Sequence, residues 1–125
     1  MLTLSAIKAD VGSIGGHTLP SSRMMEVAHG HLARAAKERT ITDFDVTPTG
    51  ADICLLLVHR HGVAHPAVHN LAWGVFEAAT EIARQEGLYG AGQDMLKDAP
   101  SGNVRGAGPG AAEISFDPSA SERPA

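Results

Sequence analysis

Cysteine is nearly absent from this sequence: Cys54 stands alone among 125 residues, so an intrachain disulfide is excluded and a reducing compartment, the cytoplasm, is expected. An excess of basic charge is missing as well. Ten Lys and Arg stand against fourteen Asp and Glu, a net charge of -4, which argues against the phosphate contacts on which nucleic-acid binding rests. Long hydrophobic runs are also lacking. The longest apolar block, Ile53 to Val58, is far too short to span a bilayer, and Met1 to Lys8 lack the basic, apolar and small-residue succession of a signal peptide. Neither nucleic acid nor membrane is therefore expected as a partner. What is present is 43% hydrophobic residues, enough for one core without disulfides or structural metals.

Leu2, Leu4 and Ala6 alternate with Thr3 and Ser5, the period of a half-buried strand, and the run stops at Asp10-Val11-Gly12. A small-residue loop leads through Pro20-Ser21-Ser22 into a segment where Met24, Ala28, Leu32 and Ala35 recur at helical spacing, with Ser21 or Ser22 as the cap. Strands are predicted over Ile41 to Thr47 and Ile53 to Arg60. Pro48-Thr49-Gly50 joins them too tightly for a parallel crossover, so they pair as a hairpin. Val68, Leu71, Ala72, Val75, Ala79, Ile82 and Ala83 mark one face of a second helix, with Pro66 near its start and Gly87 just past its end. Beyond Gly87 the spacing predicts a loop, ordered or with a short helix near Met95. A last strand follows at Ala112, Ile114 and Phe116. Residues 1–116 read as one domain, and 117–125 as a frayed polar tail.

The order strand, helix, strand, strand, helix, strand predicts an α+β fold of the split β-α-β kind (β-α-β-β-α-β), an antiparallel sheet with both helices on one face. The second face is then solvated, or packed on further sheet from the same or another chain.

Asp10 after the first strand, Asp52 at the hairpin and Gln93-Asp94 in a glycine-rich loop offer the oxygen ligands that hard divalent cations prefer. Aspartate at a strand end or turn more often bonds local backbone, which is the competing reading. The seven histidines do not converge by spacing, and there is no His-Glu-x-x-His and no cysteine pair, so they read as surface or interface residues. His17 differs in following Gly15-Gly16, where the backbone can bend tightly toward a ligand. Ser101 to Gly110 is glycine-rich around Arg105 and can turn several N–H groups toward a phosphate, although it is neither a Walker A loop nor a dinucleotide fingerprint. Tyr89 adjoins a glycine loop as a ligand contact or a half-buried phenol. Cys54, between Ile53 and Leu55, reads as a buried small hydrophobe, and no nucleophilic triad is apparent.

Three stretches together carry a resemblance: Ile7 to Ser13 with Gly16-His17, Gly87 to Asp94, and Ser101 to Gly106 with Gly108-Pro109-Gly110. From about Leu4 to Glu113 the chain resembles the N-terminal part of the fructose-1,6-bisphosphate aldolase/phosphatase family, the bifunctional gluconeogenic enzymes of archaea and deeply branching bacteria. The resemblance implies a cytoplasmic homo-oligomer in which this region is half of a four-layer α-β-β-α sandwich. It implies Mg²⁺ as cofactor, held by Asp10, Asp52 and Gln93. It also implies that His17, Tyr89, Gly102 and Asn103 contact fructose 1,6-bisphosphate or the triose phosphates.

Two departures shape the expectation. Where the family has two adjacent aspartates after the hairpin glycine, this sequence reads Gly50-Ala51-Asp52. The family's further aspartates, its Schiff-base lysine and the assisting tyrosines lie past the region covered, and none of Lys8, Lys37 or Lys97 matches that lysine. No catalytic residue is therefore assigned. The reading is a truncated chain inactive by itself, with two alternatives: a non-catalytic domain that binds a phosphorylated metabolite, or one that pairs with a companion chain.

Overall fold

The computed structural model of the chain describes residues 1–13, 19–88, 90–92, 95 and 109–117. Its elements run β1 (Leu2–Ala9), α1 (Ser22–Lys37), β2 (Asp43–Thr49), β3 (Asp52–His59), α2 (Pro66–Gln85) and β4 (Gly110–Phe116). The four strands form one antiparallel sheet in the order β2-β3-β1-β4, the α+β arrangement that the element order predicts. Among the described residues no helix is long and apolar enough to cross a membrane.

The helices form where the periodicity places them. In α1 the buried residues are Met24, Ala28, Leu32 and Ala35, and Ser21 caps the helix by accepting from the Met24 N–H. The same Ser21 hydroxyl donates to Glu86 Oε1 at 2.6 Å, and Arg23 lies 3.9 Å from the other Glu86 oxygen, which ties the start of α1 to the end of α2. Pro66 begins α2 and His65 caps it, its Nδ1 accepting from the Ala67 N–H. Val68, Ala72, Val75, Phe76, Ala79 and Ala83 turn inward against α1 and the sheet.

Strand β1 departs from the sequence reading. Thr3, Ser5, Ile7 and Ala9 make its buried face, while Leu2, Leu4 and Ala6 point to the other side of the sheet and are only half-buried. Register carries the same division across the sheet: Ile7 pairs with Leu55 and Ser5 with Leu57 on the helix side, and Leu4 pairs with Val58 and Ala6 with Leu56 on the open side. Ala112 and Ile114 of β4 extend that open apolar stripe. A strand with apolar residues on both faces gives no clean alternation, so its inward face cannot be read from its own pattern.

Cys54 shares the open face and is half-buried there, so it is not the core residue its neighbours suggest. Strand β2 is displaced as well. It runs through Pro48 and Thr49, and the turn is Gly50-Ala51, with Gly50 in the left-handed region at φ 60. Proline is tolerated because β2 is an edge strand and Pro48 sits one residue from the closing Thr49–Asp52 pair, where its nitrogen points away from β3.

Candidate functional site

The end of β1 and the start of β3 meet at one corner of the sheet. Ala9 pairs with Ile53, so the next positions, Asp10 and Asp52, fall side by side. Asp10 Oδ1 accepts from the Gly12 N–H at 3.2 Å, the local turn bond that competes with a ligand role for this residue. Asp52 opens β3 immediately after the Gly50-Ala51 turn, and Lys8 Nζ lies 3.8 Å from its Oδ2. Lys8 was not singled out from the sequence. Only the β1–β3 register, which sets Lys8 against Cys54 and so beside Asp52, reveals it.

Two loops are drawn to this corner. The Gly92 N–H donates to the Val11 carbonyl at 2.8 Å, which pins the loop after α2 against the loop after β1, one residue before Gln93 and one after Asp10. Gly12 makes the close approach possible. Its φ of 139 and the 2.7 Å that would separate an added Cβ from Ala83 Cβ leave room for no side chain. Gly110, the first residue of β4, pairs with Lys8, so β4 begins at this edge. Of the residues proposed from sequence, Asp10 and Asp52 are brought together. His17, Tyr89, Gln93, Gly102 and Asn103 lie outside the described residues, as does all but Met95 of the short helix expected there and all but Asp117 of the tail.

Among the described residues no group of three or more His, Cys, Asp and Glu side chains is set to hold a metal. The reading of the histidines as surface or interface residues fails for His59, which is fully buried within the chain and hydrogen-bonded to Ser5. Continuation of the parity Ile53, Leu55, Leu57 to position 59 is the signal that finds it.

The family described as Fructose-1,6-bisphosphatase matches residues 1–124. A protein of Thermococcus onnurineus named fructose-1,6-bisphosphate aldolase/phosphatase is 53% identical over 113 residues, 90% of this chain and 30% of its own length. Those so named from Ignicoccus hospitalis and Thermus thermophilus are each 51% identical, over 96% and 99% of this chain and 31% and 33% of their own lengths. The chain thus spans about a third of the length of these curated relatives. With the match running from the first residue to the last but one, the chain belongs to the fructose-1,6-bisphosphatase family.

Proposed function

We propose that this chain is the N-terminal portion of a bifunctional fructose-1,6-bisphosphate aldolase/phosphatase, carrying part of its Mg²⁺ and sugar-phosphate site and inactive by itself. The observation that carries the reading is the placing of Asp10 beside Asp52 at the corner where the Val11–Gly92 clamp and the start of β4 converge. Two adjacent hard carboxylates fit a hard divalent cation, which takes its remaining ligands from water, from an amide such as that of Gln93 and from phosphate oxygens. Bound Mg²⁺ would offset phosphate charge and supply an activated water for phosphomonoester hydrolysis. Lys8 offsets part of the carboxylate charge. His17, Tyr89, Gly102 and Asn103 are proposed to hold the sugar phosphate.

Ala51 puts a methyl group where the family reading expects a third carboxylate. Metal affinity is therefore expected to be weak, and Ala51→Asp should tighten Mg²⁺ binding roughly tenfold by adding one charged oxygen ligand at the turn. Isothermal titration of the two chains with Mg²⁺ checks this, with Asp52→Asn as the control that should abolish the heat. Equal affinities for the native chain and Ala51→Asp would remove the turn from the metal site.

The open sheet face, with Leu4, Ala6, Leu56, Val58 and Ile114, supports the further proposal that the remaining two-thirds of the relatives' length supplies the second sheet of a four-layer fold. Without it, the purified 125-residue chain should release no phosphate from fructose 1,6-bisphosphate in the presence of Mg²⁺. Measurable turnover would overturn the assignment of inactivity. Micromolar binding of the sugar bisphosphate without turnover would instead favour a stand-alone metabolite-binding module.

A further inference from the structure

On the helix face of the sheet, away from the carboxylate corner, side chains from four elements form a directed chain of hydrogen bonds that the proposed chemistry does not use. The backbone N–H of His61 donates to His59 Nδ1 at 3.2 Å, so the neutral ring carries its proton on Nε2. Nε2–H donates to Ser5 Oγ at 2.8 Å, and the Ser5 hydroxyl in turn donates to Glu113 Oε2. The other Glu113 oxygen accepts from His69 Nε2 at 2.8 Å and from the Ala64 N–H at 3.0 Å. Ala64 presents that N–H from a left-handed backbone, φ 57, a conformation unfavourable for a residue with a Cβ. Ser5, His59 and Glu113 therefore lie within bonding reach without forming a nucleophilic triad. With Nδ1 occupied as an acceptor and Nε2 as a donor, His59 has no lone pair with which to take the serine proton.

All of these contacts bear on β4. That strand pairs with β1 and contributes none of the fully buried hydrophobic residues. On the helix side it is fastened by polar groups: Glu113 in the network and Ser115, whose hydroxyl lies 2.8 Å from Thr3 Oγ1. An element with little apolar burial opens at a lower free energy than the core. We propose that the Ser5–His59–Glu113–His69 network is a proton-operated latch, which holds β4 on the domain while His59 is neutral and releases it when His59 takes up a proton. A second proton on His59 must go to Nδ1, where it would face the His61 N–H donor. The cation can be hydrated only if the groups covering the ring move apart.

The groups facing His59 are Ser5 from β1, Glu113 from β4, His69 from α2, and His61 and His65 from the loop between β3 and α2; the His59–His61 and His61–His65 ring centroids are 5.7 and 4.7 Å apart. Burial, then the neighbouring His61, hold the His59 ring below its ordinary value of 6.5, with His65 and His69 acting in the same direction and Glu113 opposing them. The sign follows. Above 6.5 the latched and opened states bind the same number of protons, whereas below it the opened state binds more and opening becomes easier. Burial pushes the Glu113 carboxyl up, but its bonds from Ser5, His69 and Ala64 outweigh this and hold it below 4.5, so its own contribution is lost only in stronger acid.

Amide hydrogen exchange of the 125-residue chain at pH 7.5 and 5.5, corrected for intrinsic exchange, tests it. The opening constant of β4 amides is expected to rise roughly tenfold on acidification, within the limit of tenfold per pH unit for one proton, while β2 amides change little. His59→Gln should make β4 exchange independent of pH over this range. Unchanged β4 protection in the native chain, parallel loss in β2 and β4, or a full pH response in His59→Gln would each overturn the latch. Independently of any variant, ring nitrogen shifts of the native chain at pH 7.5 should report His59 protonated on Nε2, and the Nδ1 tautomer would equally overturn it.

Discussion

Gly12→Ala is expected to destabilise the domain by about 4 kcal/mol, measured as the shift in urea denaturation of the 125-residue chain. Two separate costs combine. The backbone at φ 139 lies in a region that residues with a Cβ scarcely visit, at about 1–3 kcal/mol. The new methyl would also stand 2.7 Å from Ala83 Cβ and 3.3 Å from Ala91 Cα, an overpacking typically worth about 1–3 kcal/mol. Adding Ala83→Gly removes the first collision but neither the second nor the backbone strain, so the double variant should recover only part of the loss. Because Gly12 adjoins the Val11–Gly92 clamp, the single variant should also weaken Mg²⁺ binding under conditions where it remains folded. A loss of less than about 1 kcal/mol would mean that the two loops are not held at this separation.

Ser5→Ala should cost about 3 kcal/mol even though it removes only one oxygen atom. The Ser5 hydroxyl is fully buried and serves two partners, so its loss orphans the His59 Nε2–H and takes one donor from the charged Glu113 carboxylate. Thermal or urea unfolding at pH 7.5 measures the effect. Ser5→Ala combined with His59→Leu should be less destabilised than the sum of the two single changes, since the second replacement removes the orphaned donor. Strict additivity would show that Ser5 and His59 are not coupled.

Both helices were legible because a 3.6-residue period over four or five turns leaves a single buried stripe: Met24, Ala28, Leu32 and Ala35 were read in place. The strands were legible as elements but not in their faces. Leu2, Leu4 and Ala6 looked inward because they are the more apolar set at the start of β1, yet the inner set includes Thr3 and Ser5, made acceptable by partners on β3 and β4. Pro48 suggested a turn because proline usually interrupts a sheet, and only the edge position of β2 makes it harmless. For the candidate site, Asp10 and Asp52 could be singled out by residue type and position. Lys8 could not, since its role depends on which strand lies beside β1. The latch was invisible for the same reason at greater range: Ser5 and Glu113 are 108 positions apart and meet through register alone.

The open apolar face bears on how β1 finds its alignment. Ordinarily a one-residue slip is punished because it sends greasy side chains into water and polar ones into the core. Here alkyl groups line both sides of β1 and β3, so burial by itself discriminates weakly between the native pairing and its shifted neighbours. The buried polar contacts do discriminate. Sliding β1 by one position would bring an alkyl side chain into the place of Ser5, leaving the His59 Nε2–H and a Glu113 oxygen without partners, and would separate Thr3 from Ser115. A cluster that adds little apolar burial thereby selects one strand alignment among several that the greasy residues would accept.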